Sequence, residues 1–227
     1  MSPPSSSSHP RALSACRLRH RFTGRREGDL AAGAEWVEDR RRAVADMPWT
    51  WLRQVHGAGV VTVTEPGEHA GACADASVTA VPQAVLAVQA ADCAPVVLLG
   101  EAAVGVVHAG WRGLVDGVIE ASVQAMRSLG SESIRAVIGP CIRSGCYEFG
   151  AGDLDAVVRA LGPPARGRTT RGTASLNVAG AASAALRKAG VDVVEDVAVC
   201  TTCSPDHWSW RARGDRQRQA AVAWLEK

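Results

Sequence analysis

The segments "AVLAVQA", "APVVLL" and "VGVVH" follow one another between Ala84 and His108, separated only by short turn-like connections. Each is short, apolar and bounded by Gly, Pro or Asp, which is the pattern of a covered strand. Upstream, "WTWLRQVH" and "GVVTVTEP" have the same character, again with no helix between them. Helical spacing occurs on either side of this block. It runs through "AEWVEDRRRAVADM", and from Gly113 to about Leu129, where Leu114, Val115, Val118, Ile119, Val123, Met126 and Leu129 share one broad face and Gly130 is placed as a stop. Farther on, "IRAVIGPCI" and "VDVVEDVAVC" read as strands, "DLDAVVRAL" and "AGAASAALRKAG" as helices, and "GPPARGRTTRG" as a polar loop. Successive strands without intervening helices favour a mixed α/β or α+β sandwich over a regular doubly wound sheet.

The chain's 227 residues suit one domain with a single good core. The first residues, "MSPPSSSSHPRALSA", carry Pro and Ser and lack the apolar stretch of a secretory signal, so residues 1–19 are expected to be a disordered tail and 20–227 the folded domain. No apolar run reaches the roughly 18 residues of a membrane span. A net charge of only +2 gives no reason to invoke nucleic acid or a membrane surface. The expectation is a soluble cytoplasmic monomer. Seven cysteines, an odd number with no signal segment, point to reduced thiols rather than a disulfide framework. Cys200 and Cys203 form a lone Cys-x-x-Cys, and Cys141 and Cys146 flank a turn; all four are read as free thiols.

His108 ends one strand-like segment and faces a helix start, the edge of an α/β arrangement where ligands bind. Two other segment ends resemble it: His56 in "RQVHGAG", and Asp92 and Cys93 in "VQAADCAPVVLL". Convergence of His56, Cys93 and His108 would give the two imidazoles and one thiolate of a three-ligand metal site with an open fourth position, suited to zinc and acceptable to copper. A rival reading pairs Cys93 as nucleophile with His108 as base. A third leaves the three residues structural and unrelated.

The motifs "QVHG", "ADASVT", "ADCAPVVLL", "VHAGWRG", "IGPCI", "YEF" and "SWRARGDRQRQAAVAWL", in this order, resemble the YfiH family of laccase-domain proteins over residues 20–227. The resemblance implies a four-layer α/β/β/α fold of the α+β class with mixed sheets. It implies a metal, zinc with copper as the alternative, held by His56, Cys93 and His108. It further implies purine nucleoside phosphorylase chemistry on adenosine, inosine, guanosine and methylthioadenosine, with adenosine deaminase side activity. Other family labels are polyphenol oxidase and peptidoglycan editing factor; the latter fits hydrolysis by a Cys93–His108 pair.

Phosphorolysis needs a held phosphate dianion beside the ribose and a purine leaving group. Arg25, in the "FTGRREG" that resembles the family's Phe-Thr-Thr-Arg-x-Gly-Gly, is the candidate catalytic anion clamp alongside Cys93 and His108. Asp75, Arg112 and Arg211 complete the candidate substrate and phosphate set; Asp75 is either an acid–base group or a turn residue, and Arg112 either faces substrate or pairs with an acid such as Asp92. Two positions depart from the family: Glu27 replaces a usual glycine, and Ala212 replaces an arginine, whose role therefore does not transfer, while Arg218 stays in register. Six histidines are too few for the blue copper and copper cluster of a full multicopper oxidase, which leaves at most weak copper-dependent phenol oxidation. The zinc deaminase signature His-x-Glu with Pro-Cys-x-x-Cys is absent, so any deamination uses another arrangement.

Overall fold

A computed structural model describes residues 16–227. Of the expected tail, residues 1–15 lie outside the described residues. The boundary at residue 19 is corrected: Arg17–Phe22 is a strand whose partners run from Glu226 back to Ala221. In chain order the elements are β1 (Arg17–Phe22), α1 (Val37–Val44), β2 (Trp49–Arg53), β3 (Val60–Val63), β4 (Ala72–Cys73), β5 (Ala76–Thr79), β6 (Val85–Ala90), β7 (Ala94–Gly100), β8 (Val104–Ala109), α2 (Trp111–Val115), α3 (Val118–Ser128), β9 (Ile134–Ile138), α4 (Ala151–Leu161), β10 (Arg166–Arg168), β11 (Ala174–Leu176), α5 (Val178–Lys188), β12 (Asp192–Asp196), α6 (Trp210–Arg213) and β13 (Gln219–Glu226).

Two mixed sheets result, one in the order β1-β13-β6-β2-β4 and the other β12-β9-β7-β8-β5-β3, while β10, inside the stretch expected to be loop, pairs separately with β11 just beyond it. The alternation of side chains along each strand explains the layering. Leu86 and Val88 of β6 meet Val97 and Leu99 of β7 and Val104 and Val106 of β8 between the sheets. The intervening Val96 and Leu98 face outward onto Val118, Ile119 and Met126 of α3 and the small residues of α5. Val85 and Ala87 face the opposite way, under Leu30, Val37 and Ala45. Both faces of the central strands are thus covered, which is why they read as continuous apolar runs rather than alternating ones. The order is the α/β/β/α sandwich expected from the resemblance.

The single helix expected over Gly113–Leu129 is two. Gly117 adopts φ +90°, a left-handed conformation that ends α2 and lets α3 start in a new direction. The amphipathic spacing persists because both pieces pack on the same sheet.

Candidate metal centre and substrate cleft

Chain geometry brings the three expected donors together. β2 and β6 run parallel, so their carboxyl ends lie side by side; His56 follows the first, and Ala91–Asp92–Cys93 carries the chain from the second over to β7 in the other sheet. β7 is antiparallel to β8, with Pro95 opposite His108 and Ala94 opposite Ala109. The start of β7 and the end of β8 therefore meet at the same edge. One ligand atom from each of His56, Cys93 and His108 lies within 4.8 Å of the others.

Asp75 holds two of these donors. It is fully buried, and its carboxylate accepts from the backbone N–H groups of Val55 (3.1 Å), His56 (3.0 Å) and Gly57 (2.9 Å) while pairing with His108 Nδ1 at 2.8 Å. A bond at Nδ1 leaves Nε2 of His108 as the nitrogen available to an ion, the orientation that carboxylates impose on metal-binding histidines. The same carboxylate anchors the turn in which His56 takes φ +59°. Burial works against the charge of Asp75, but His108 and the amides of Gly57 and Val55 outweigh it and keep the carboxyl below its ordinary range. Asp75 contacts two of the candidate donors and is not among the residues that line the cleft, where a substrate contact was expected of it.

Cys93 and His108 perturb each other. Burial pushes the thiol up, yet the two histidines draw it down from 9.0 to about 6. Burial lowers His108, but Cys93 and Asp75 raise it to about 9. Asp92 keeps the connection rigid at φ +110°: Oδ1 accepts from Thr201 Oγ1 at 2.6 Å and Oδ2 from the Arg211 N–H at 2.7 Å. Arg112 is thus not its partner.

The donor set fits an ion by a steric criterion as well. A Cβ added at Gly110 would lie 2.6 Å from His56 Nδ1 and 3.5 Å from Cys93 Sγ. The backbone there, φ −70° and ψ 155°, suits any residue, so glycine is required for clearance rather than conformation. Gly110→Ala is expected to leave the circular dichroism spectrum intact while weakening metal binding by about tenfold or more, the scale at which displaced surroundings of ligands act. Unchanged affinity in a metal titration would show that the three donors do not act together.

The centre opens into a cleft of about 1160 Å³ lined by Trp51, Trp111, Tyr147 and Trp210 and by Arg53, Arg112, Arg211, Arg216 and Arg218. Arg112 stacks on Trp111 at 4.4 Å and Arg211 lies over Tyr147 at 5.0 Å. Among the described residues, neither these two nor Arg216 has a carboxylate within ion-pair distance. Arg25 does not line the cleft. Its guanidinium stacks on Trp208 at 3.9 Å, pairs with Asp215 at 3.0 Å and donates to the His207 carbonyl, so it fixes the segment leading to Arg216 and Arg218. The aromatic walls went unrecognised in the sequence, although the Trp-Arg pairs at Trp111-Arg112 and Trp210-Arg211 were visible.

The sequence profile described as multi-copper polyphenol oxidoreductase laccase matches residues 23–226. The chain is similar to a purine nucleoside phosphorylase of Streptomyces coelicolor, 41% identical over 182 residues that cover 78% of this chain and 74% of the relative. A Mycobacterium tuberculosis protein of the same name is 34% identical over 207 residues, covering 88% and 82%. Among solved structures, a Neisseria meningitidis protein superimposes with a TM-score of 0.82 at 27% identity over 92% of this chain and 95% of its own. Bacillus licheniformis YfiH does so with 0.74 at 29% identity over 84% and 81%. The chain belongs to the laccase-domain family of YfiH-like proteins. Among the described residues no helix is long and apolar enough to cross a membrane.

Proposed function

We propose that the protein is a zinc-dependent purine nucleoside phosphorylase, with copper as the alternative ion, accepting adenosine, inosine, guanosine and methylthioadenosine and deaminating adenosine as a side activity. The observation that carries this reading is the three-donor centre opening into a cleft that combines aromatic faces with arginines free of carboxylate partners among the described residues. The names of the Streptomyces and Mycobacterium relatives support it.

His56, Cys93 and His108 hold the ion, which supplies Lewis acidity for oxygen groups of the reactants. Arg112 and Arg211 bind phosphate through parallel hydrogen bonds. The aromatic faces stack on the purine, an interaction worth about 1–3 kcal/mol per base. A phosphate oxygen then bonds to the ribose anomeric carbon as the C–N bond breaks, and the bonding pair leaves with the purine, which takes up a proton. Arg25 and Asp75 act at one remove, by fixing the segments that carry these groups.

Inosine with phosphate is expected to give hypoxanthine and ribose 1-phosphate, and neither without phosphate; adenosine gives adenine by the same route and some inosine without phosphate. Chromatography of the products checks this. Base release that ignores phosphate would mean a hydrolase. No base release at all would favour the second reading, for which the thiol–imidazole pair speaks: hydrolysis of peptidoglycan precursors by Cys93 and His108.

A further inference from the structure

Cys200 and Cys203 are not a pair on their own. The structure brings Cys146 to them, and the three sulfurs lie within 4.8 Å of one another. Cys146 ends a short 3-10 turn, Ser144–Cys146, and the other two bracket the turn after β12. Backbone pairing puts them there: Cys141 and Cys200 form a parallel bridge, with Cys141 N–H donating to the Val199 carbonyl and Thr201 N–H to the Cys141 carbonyl, both at 3.2 Å. Arg143 locks the same segments through a two-pronged pair with Asp196, at 2.6 and 2.8 Å. The sulfurs are therefore gathered by contacts that owe nothing to sulfur chemistry.

Two features suit the cluster to a cation. Three sulfurs cannot all be consumed by disulfides, and the 3.4 Å between Cys146 and Cys203 is well beyond the roughly 2.05 Å of an S–S bond. Charge selects the ion: three thiolates and a divalent cation leave one negative charge, whereas a monovalent ion would leave two. The cluster shares no ligand with the His56–Cys93–His108 centre.

We propose that Cys146, Cys200 and Cys203 form a second metal site, an all-thiolate site for zinc with its fourth position facing solvent. Its place in the fold gives it a purpose. Tyr147 follows Cys146 directly, and the chain beyond Cys203 continues to Trp210 and Arg211, so one ion ties together two segments that form a wall of the cleft. Binding releases the thiol protons to solvent and changes no oxidation state.

The test uses the full chain purified anaerobically with reductant and measures zinc per chain. Wild type should carry two equivalents, Cys203→Ser and Cys146→Ser one each, Cys93→Ala one, and the Cys93→Ala/Cys203→Ser double variant none. Cobalt added to metal-stripped Cys93→Ala should produce intense thiolate-to-cobalt absorption with tetrahedral bands, lost in the double variant. Cys203→Ser should raise KM for the nucleoside more than it lowers kcat, as expected of a wall rather than a reacting group. One equivalent in wild type that Cys203→Ser leaves unchanged would overturn the proposal. So would a folded Cys93→Ala protein that binds cobalt without thiolate absorption, or a Cys146–Cys203 disulfide found in peptide mapping of the anaerobic protein. The kinetic readout rests on the proposed nucleoside reaction; the zinc, cobalt and peptide-mapping outcomes do not depend on which reaction the cleft catalyses.

Discussion

Cys93→Ala is expected to abolish ion binding at the proposed His56–Cys93–His108 centre and to lower kcat/KM for phosphorolysis by about 10³-fold, the equivalent of the several kcal/mol that a Lewis acid contributes. The Asp92 backbone is held in an unfavourable conformation by bonds to Thr201 and Arg211, so the sulfur cannot be replaced by a donor from elsewhere without releasing that turn. Truncation also removes the charge that keeps His108 high, and the remaining imidazoles make a two-ligand site. Metal analysis and steady-state kinetics on the same preparation check the prediction; retained activity with metal lost would exclude a catalytic ion. The thiol offers a second readout. With the ion stripped from wild type, burial raises the thiol but His108 and His56 bring it to about 6, so alkylation by iodoacetamide should rise with pH around 6 rather than around the ordinary 9.0, and restoring the ion should suppress it.

Much of this architecture was legible because its causes are local. The continuous apolar strands announced a sandwich covered on both faces, and each ligand is punctuated by a turn that sequence displays: Gly57 after His56, Pro95 after Cys93 and Gly110 after His108. What stayed hidden depends on pairings distant along the chain. Arg25 looks like an anion clamp in its own loop, but its partners Asp215 and Trp208 lie at the other end of the sequence. The second thiol cluster was invisible for the same reason, since Cys146 joins Cys200 and Cys203 only through the register of Cys141 against Cys200. Gly117 was misread because a single glycine within an otherwise perfect helical pattern carries no mark of the left-handed turn it makes.

Asp75→Asn should damage the site without touching the cleft. The carboxylate accepts three backbone N–H bonds and pairs with His108 in a place that water does not reach. An amide keeps the volume but has one acceptor oxygen, so its NH₂ group must face either the N–H groups of Val55 and Gly57 or those of His56 and His108 Nδ1, and two buried donors lose their acceptor. Loss of a fully buried charge with this many bonds costs about 3–5 kcal/mol, and metal affinity should fall by roughly 10–100-fold as His108 loses the partner that sets its tautomer. The sign with pH follows from the direction of the shift. Because the folded carboxyl is held below its unfolded value, its contribution is present above the ordinary carboxylate range and disappears as the pH falls through the lowered value. Wild type should therefore lose stability on acidification faster than Asp75→Asn, and the two melting curves should approach each other at low pH. A role in proton transfer predicts something else: an Asn variant with wild-type melting temperature and metal content but a depressed kcat. That result would move Asp75 from the support of the centre into the reaction itself.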